Sequence, residues 1–155
     1  MQALIPGIRN AVRAFIIRDD AVLLQHKMYE NGTHRYVLPG GSPELGETLI
    51  EALQRECLEE IGSEVDVIEL MHLADFFKPR DTIPPTKRHQ VEFIFRCHIS
   101  ETYIAQNGCK PDKHQKEVVW IKISEINSVP LFPESLKNTL FHNNDDVPVY
   151  LGLLR

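Results

Sequence analysis

Three glutamates, Glu56, Glu59 and Glu60, lie within five consecutive positions of the chain. Carboxylates this close repel one another, and helical positions i and i+4 bring the first and third together. Oxygen ligands of this kind suit a hard divalent cation, and Mg²⁺ is typically held by one or two carboxylates with water and substrate phosphates. A basic side chain from elsewhere in the fold would also neutralise them. The spacing favours the metal and leaves both interpretations open.

The glutamates belong to a predicted helix that runs from Leu49 to Ile61. Thr48 followed three residues later by Glu51 is a capping-box pattern, in which each side chain serves a free backbone amide of the other. Gly62 suits the left-handed residue that ends many helices. The helix therefore carries its own start and stop signals.

The helical rotation points two of the glutamates towards the apolar side of this helix. At about 100° per residue from Leu49, Glu60 falls near 20°, on the side of Leu53, and Glu56 near 340°. Glu59 falls at the edge of the cluster. A solvated charged face does not explain a carboxylate on the apolar side, because an isolated buried charge is costly.

The composition limits the function classes. The 155 residues suit one domain, predicted over residues 1–155, and the net charge of −5 argues against general binding of nucleic acid by charge. The three cysteines, Cys57, Cys97 and Cys109, have neither disulfide-framework nor zinc-site spacing. The sequence shows no signal peptide and no membrane span, so we expect a reduced, cytoplasmic setting without membrane contact.

Most other segments favour strands, which predicts the α/β class with a mixed sheet covered by helices. Apolar runs on both sides of Asp19 and Asp20 predict two strands joined by a turn. The alternation in residues 89–99 predicts a strand buried on one face. Residues 78–88, with three prolines and four basic residues, predict a loop that acts as a mobile substrate lid.

The stretch from Gly41 to Ser63 resembles the Nudix box of the Nudix hydrolases, G-x5-E-x7-R-E-U-x-E-E-x-G-U, where U is apolar. All fixed residues of the pattern are present: Gly41, Glu47, Arg55, Glu56, Glu59, Glu60 and Gly62. The departure is Ser63, a polar residue at the last U, which concerns the packing after the helix and not the glutamates.

This resemblance implies an α/β/α sandwich with a mixed β-sheet between helices. It also implies Mg²⁺- or Mn²⁺-dependent cleavage of the diphosphate linkage in a nucleoside diphosphate derivative, such as a nucleotide, a nucleotide sugar, ADP-ribose or a dinucleoside polyphosphate. The expected partner is therefore a small molecule, and the chain is expected to be a monomer or a homodimer.

By position, the resemblance implies that Glu56 and Glu60 are metal ligands. Glu59 matches a further ligand or the general base, and the carbonyl of Gly40 matches a backbone ligand. Glu47 and Arg55 match the residues that hold these glutamates in place, and Arg55 is therefore counted with the catalytic group. A non-catalytic nucleotide sensor on the same fold is the alternative function. The retention of all three helix glutamates favours the enzyme.

Four residues outside the box are further candidates. Glu117 is an alternative general base, or else an exposed carboxylate at a strand end. Tyr36 either stacks on a nucleotide base or belongs to the core. Arg80 and Arg88 are candidate phosphate contacts, with a solvated surface role as the alternative.

Overall fold

The computed structural model describes residues 3–141 and 146–155. Its strands are β1 (Ala3–Phe15), β2 (Ile17–Arg18), β3 (Ala21–Met28), β4 (His34–Val37), β5 (Gly40–Gly41), β6 (Asp66–Arg80), β7 (Thr86–His98), β8 (Gln115–Lys122) and β9 (Tyr150–Leu154). Its helices are α1 (Leu49–Ile61) and α2 (Lys137–Leu140), with 3₁₀ turns at Ile123–Ser128 and Glu134–Leu136. No helix in these described ranges is long and apolar enough to cross a membrane.

The strands form two sheets, where the sequence predicted one mixed sheet. The five-stranded sheet has the order β5-β1-β7-β6-β9 and is mixed, because β1 runs parallel to β7 and β6 runs antiparallel to it. In the second sheet β2, β4 and β8 pair with β3, all antiparallel. The chain changes sheets after Phe15, and Asp19 and Asp20, with φ of 51° and 59°, make the predicted turn between β2 and β3.

Two cores lie on opposite sides of the β structure. The first joins α1, through Leu53, Cys57 and Ile61, to inward residues of both sheets such as Val12. The second joins other sheet residues to Leu131 and to apolar side chains of the C-terminal helical segments, Ile126, Leu136 and Leu140. The expected α/β sandwich is present, with one long helix on the α1 side and three short helical segments on the other.

The prediction of a loop over residues 78–88 is wrong. The β6–β7 ladder continues through the pairs Lys78–Arg88 and Arg80–Thr86, so only residues 81–85 form the turn. Pro79 lies within β6, where the strand is at the edge of the described sheet, because β9 pairs with β6 no further than Phe76. An edge strand tolerates proline. This segment, the β6–β7 arm, is a continuation of the five-stranded sheet, since Ala3 and Leu4 of β1 also pair with Thr86 and Lys87 of β7.

The expectation of one buried face for the strand in residues 89–99 is also wrong. Phe95 and Cys97 are buried in the first core, while Ile94 is buried in the second. Gln90 and Glu92, on the same face as Ile94, are buried as well. The strand is central in its sheet and is covered on both faces, with polar side chains where it borders a cleft.

The bounds of α1 match the prediction. The backbone N–H of Glu51 donates to Oγ1 of Thr48 over 3.1 Å, and Gly62 has the left-handed φ of 70°. The Thr48 hydroxyl also donates to the Glu51 carboxylate over 3.0 Å. Both ends of the helix are therefore fixed by local sequence.

Candidate active site

A cleft of about 1080 Å³ brings the box residues together with the second sheet and the β6–β7 arm. Its volume slightly exceeds the range of about 300–1,000 Å³ that is usual for ligand pockets. The polar wall includes Arg9, Arg13, Lys27, Glu56, Glu60, Lys78, Arg80, Glu92 and Asp112. An apolar wall is built by Phe76, Ile94, Phe132, Leu136 and Leu154. The cleft therefore presents both charged groups and a hydrophobic surface.

Glu60 is the most deeply buried carboxylate of the helix, with 3% of the residue exposed. Its Oε1 accepts hydrogen bonds from Nε2 of Gln25, at 2.7 Å, and from the backbone N–H of Gly40, at 3.0 Å. Burial raises the pKa of Glu60 to about 7, and the charges of Asp112 and Glu56 add to that effect. Two neutral donors orient this carboxylate without supplying a positive charge.

Glu56 lies one turn earlier and also lines the cleft. Its Oε1 accepts from Nη1 of Arg55 over 3.1 Å. Burial nevertheless raises its pKa, because it outweighs the opposing effect of Arg55. A Cβ on Gly41 would lie 2.5 Å from the Glu56 carboxylate, so glycine at this position leaves the carboxylate its space. Strand β5 and the helix therefore approach each other at this contact.

Arg55 is the centre of an ion-pair network at the outer side of the helix. Its Nε and Nη2 donate to the two oxygens of Glu47, at 2.7 and 2.9 Å, in a bidentate pair. Nη1 contacts Glu59 at 3.3 Å, and Nη2 donates to the carbonyl of Ser42. The hydrogen bond from Arg55 lowers the pKa of Glu47. This network ties the loop before α1 to the helix and positions Glu56.

Asp112 enters the cleft from the segment between β7 and β8 and was not among the residues predicted from the sequence. Its Oδ2 accepts from Nζ of Lys27 at 2.5 Å. Burial would raise its pKa, but Lys27 outweighs burial and the pKa lies below the ordinary range. A lone aspartate in a polar segment carries no sequence signal, because Lys27 is distant in the chain.

The same segment closes the C-terminal end of α1. The backbone N–H groups of Gly108 and Lys110 donate to the carbonyls of Glu60 and Glu59, at 2.9 and 2.8 Å, and the Gln115 side chain also donates to the Glu60 carbonyl. These bonds satisfy carbonyls that a helix leaves free at its end. The residues that carry Asp112 are thereby joined to the helix that carries the glutamates.

Further cationic side chains were also missed from the sequence. Arg13 pairs with the buried Glu92, with Nε to Oε2 at 3.1 Å. Burial lowers the pKa of Lys78 to about 8, and Arg13 and Lys27 lower it further. Arg13 and Glu92 lie 79 residues apart in sequence, so only the strand register reveals the pair.

The structure separates the candidates named from the sequence. Gly40, Glu56, Glu60 and Arg80 line the cleft. Glu47, Arg55 and Glu59 lie in the network beside it. Three others are not among the residues that line the cleft: Tyr36, Arg88 and Glu117.

Tyr36 and Glu117 meet at the buried residue His26. The Tyr36 and His26 rings stack with centroids 4.5 Å apart, and the Glu117 carboxylate lies 3.5 Å from Nδ1 of His26. Lys27, the next residue along β3, lines the cleft, and successive side chains of a strand point to opposite faces. Tyr36 and Glu117 therefore lie on the face of the second sheet that points away from the cleft.

These features define an α/β protein with an acidic helix at one end of a cationic cleft. A family model for the NUDIX domain matches residues 7–141, and the chain belongs to this family. The Nudix identification made from the box is thus confirmed.

Known proteins extend the comparison. Over 61 residues the chain is 44% identical to an "NAD-capped RNA hydrolase NudC" of Klebsiella pneumoniae; the match covers 39% of this chain and 23% of that protein. A MutT protein from Bacillus halodurans has a TM-score of 0.66 at 21% identity, covering 92% of this chain and 86% of that one. An ADP-ribose pyrophosphatase from Streptococcus suis has a TM-score of 0.59 at 15% identity, covering 95% and 98%. The structural similarities show the shared fold.

The chemistry of the donor set fits a divalent cation. Among the described residues, no three His, Cys, Asp or Glu side chains already surround a common point. Glu56 and Glu60 each keep Oε2 outside every described hydrogen bond, and each has a pKa raised by burial. Two carboxylates with water and substrate phosphates are a common environment for Mg²⁺.

Proposed function

We propose that the protein is a divalent-metal-dependent pyrophosphohydrolase that cleaves the diphosphate linkage of a nucleoside diphosphate derivative. The observation that carries this proposal is the pair of desolvated carboxylates, Glu56 and Glu60, at the base of a cleft rich in lysine and arginine. Carboxylates prefer a cation and the cationic wall prefers phosphate, so the two together suit a metal-bound diphosphate.

Glu56 and Glu60 would hold the Mg²⁺ or Mn²⁺, with Glu59 and the carbonyl of Gly40 as further candidate ligands. When bound, such an ion neutralises the phosphate oxygens and makes a bound water more acidic. Gln25 orients the Glu60 carboxylate, and Arg55 orients that of Glu56.

The cationic residues of the cleft would bind the substrate. Lys27 and Arg13 present charges that are already held by Asp112 and Glu92, which fixes their direction before the substrate enters. Lys78 adds a third charge. The apolar wall with Phe132 offers a surface for a nucleoside base, since aromatic rings stack on bases.

The activity of the NudC protein cannot be assigned to this chain, because the match covers only 23% of that protein. An NAD-capped RNA is therefore one member of the substrate panel. A nucleotide sensor without turnover is the second candidate function, and the presence of the box glutamates argues against it.

Product analysis on a substrate panel tests the proposal. Nucleoside triphosphates, nucleotide sugars, ADP-ribose, NADH, dinucleoside polyphosphates and an NAD-capped oligonucleotide would each be incubated with Mg²⁺ or Mn²⁺ and the products separated by chromatography. We expect cleavage between two phosphorus atoms of at least one compound, and loss of cleavage in Glu56→Gln and in chelator. If the folded protein binds nucleotides but cleaves no member with either metal, the sensor is the correct function.

A further inference from the structure

Three cationic side chains form an outer cationic cluster at the end of the five-stranded sheet: Arg9, Arg80 and Arg88. Lys78 and Arg88 are directly paired across the β6–β7 ladder, and Arg80 is two residues beyond Lys78 on the same strand. Arg9, on the neighbouring strand β1, pairs in register with Gln90 of β7, and Gln90 is two residues from Arg88. Because side chains alternate along a strand, these residues share the face that borders the cleft, and Arg9 and Arg80 line it.

The cluster has no internal neutralisation. Elsewhere in the cleft, Arg13 pairs with Glu92 and Lys27 with Asp112. No member of the outer cationic cluster forms an ion pair with a carboxylate in residues 3–141 or 146–155.

Arg88 gives a second, independent observation. Its Nε is a buried donor without a hydrogen-bond partner among the described residues. Burial lowers the pKa of Arg88, and the charges of Arg9 and Arg80 lower it further. A buried donor without a partner is costly, and so are like charges side by side. An anion bound among them would remove both costs.

The cluster is separated from the helix glutamates. Arg13 pairs in register with Gly40, which donates to Glu60. Arg9 lies four residues before Arg13 on β1, a separation of about 13 Å at the rise of a β-strand. Arg9 and its neighbours Arg80 and Arg88 therefore lie further along the sheet than Arg13, so the cluster faces a part of the bound substrate beyond a diphosphate held at Glu56 and Glu60.

We propose that the outer cationic cluster binds a second phosphate group of the substrate, separate from the diphosphate that is cleaved. This inference rests on the proposed function for the position of the diphosphate. The substrate class is accordingly a nucleoside diphosphate derivative that carries an additional phosphomonoester. Arginine suits such a group, because its planar guanidinium binds phosphate through two parallel hydrogen bonds.

A single phosphate group agrees with the charge distribution better than a long nucleic acid does. The cluster is confined to the end of one cleft, and the chain as a whole has a net charge of −5. Extended nucleic-acid binding normally uses a broad basic surface that neutralises many phosphates.

Calorimetric titration of the full chain in chelator tests the proposal without turnover. The probes are nucleoside 5′-monophosphates, 5′-diphosphates and 2′,5′- and 3′,5′-bisphosphates, each with the four common bases. Arg88→Gln and Arg9→Gln are the test variants. Arg96→Gln is the matched control, because Arg96 is on the same strand as Arg88 but pairs with the exposed Glu69 at the far end. Thermal melting confirms that each variant is folded.

We expect one bisphosphate to bind at least about tenfold more tightly than the monophosphate of the same base, which is the gain from charge-assisted hydrogen bonds. Both test variants should lose that gain while keeping the affinity for the monophosphate, and Arg96→Gln should keep both. Bisphosphates that bind no better than monophosphates in every base series would overturn the inference. The inference would also be overturned if the 5′-diphosphate gained as much affinity over the monophosphate as the bisphosphate does. The same holds if Arg96→Gln lost the gain to the same extent as the test variants.

Two further outcomes are distinguishable. If a ten-nucleotide RNA binds more tightly than every bisphosphate, and Arg88→Gln reduces the salt dependence of that binding, the cluster contacts RNA and the proposal is wrong. Failure of the proposed function has a different signature, since it is the absence of cleavage with Mg²⁺ or Mn²⁺ whatever the titrations in chelator show.

Discussion

Glu56 and Glu60 are one helical turn apart, yet their surroundings differ. Glu60 accepts hydrogen bonds from neutral donors, while Glu56 contacts the guanidinium of Arg55. Both carboxylates have raised pKa values because burial dominates. At the scale of single residues, the metal-free protein therefore stores an unfavourable interaction where the proposed cation would be held.

The raised pKa of Glu60 predicts how the stability of Glu60→Gln in chelator differs from that of the parent. The pKa of Glu60 is about 7 in the folded protein, above its ordinary value of 4.5. The folded state thus holds a proton that the unfolded chain has released, so the free energy of unfolding falls as pH rises from 4.5 to 7. At pH 8 the glutamine variant should be more stable than the parent by about 1–3 kcal/mol, and that pH-dependent fall should be missing. Urea unfolding at several pH values measures both.

Activity supplies the other half of this test. With Mg²⁺, Glu60→Gln should lose at least about 100-fold in turnover, which corresponds to about 3 kcal/mol of lost charge stabilisation. Glu51→Gln, on the exposed start of the same helix, is the control and should change stability by a few tenths of a kcal/mol and turnover very little. If Glu60→Gln unfolds the metal-free protein while Glu51→Gln abolishes turnover, the glutamates are structural.

Glu117 gives a second prediction at this scale. Its carboxylate lies against His26 and is absent from the residues that line the cleft. Glu117→Gln should therefore retain turnover within about threefold, since a general base must reach the reacting water within hydrogen-bonding distance. Steady-state kinetics on the best substrate of the panel measure this. A loss of the 10²–10⁴-fold size typical of a missing acid–base group would place Glu117 in the chemistry.

The elements around the site differ in how far the sequence predicts them. Helix α1 was predicted with its correct ends because its caps are local, from Thr48 to Gly62. The arm over residues 78–88 was mistaken for a loop because its prolines and charges suggest a turn, while its strand state depends on the register with β7. Asp112 was missed for the same reason, since its partner Lys27 is 85 residues away.

At the contact between strand β5 and α1, substitutions of the adjacent glycines Gly40 and Gly41 should have different effects on stability and activity. Gly40 has a φ of 144°, and a Cβ there would lie 1.9 Å from the carbonyl oxygen of Val12, a backbone atom that cannot move cheaply. A Cβ on Gly41 would instead meet the side chain of Glu56. Gly40→Ala should therefore destabilise the protein by about 2–4 kcal/mol through strain.

Gly41→Ala should affect stability less and activity more. The Glu56 carboxylate can rotate away from the new methyl group, so we expect a loss of stability of about 1 kcal/mol or less. Turnover should fall at least about tenfold, because a displaced metal ligand or positioning group loses its alignment. Denaturant unfolding and kinetics on both variants separate the two effects. Equal losses of stability, with unchanged turnover in Gly41→Ala, would contradict the proposed position of Glu56.

At the scale of the whole molecule, the cleft is assembled from parts that are distant in the chain. The helix supplies Glu56 and Glu60, the second sheet supplies Lys27, and the segment before β8 supplies Asp112. Hydrogen bonds from Gly108 and Lys110 to the end of α1 join that segment to the helix. A cation bound at the helix would therefore stabilise the folded molecule and not one element alone, because these parts come together only on folding.

Metal binding should accordingly be visible in the global melting of the protein without substrate. A ligand at ten times its dissociation constant stabilises the folded state by about 1.4 kcal/mol, which for a chain of this size corresponds to about 3–6 °C in melting temperature. We expect a shift of this size with saturating Mg²⁺ in the parent and in Glu51→Gln, and none in the double variant Glu56→Gln, Glu60→Gln. Calcium and zinc salts at equal ionic strength distinguish a specific site from general screening. If the double variant shows the full Mg²⁺ shift, the cation binds elsewhere, and the two buried glutamates must be explained by something other than metal.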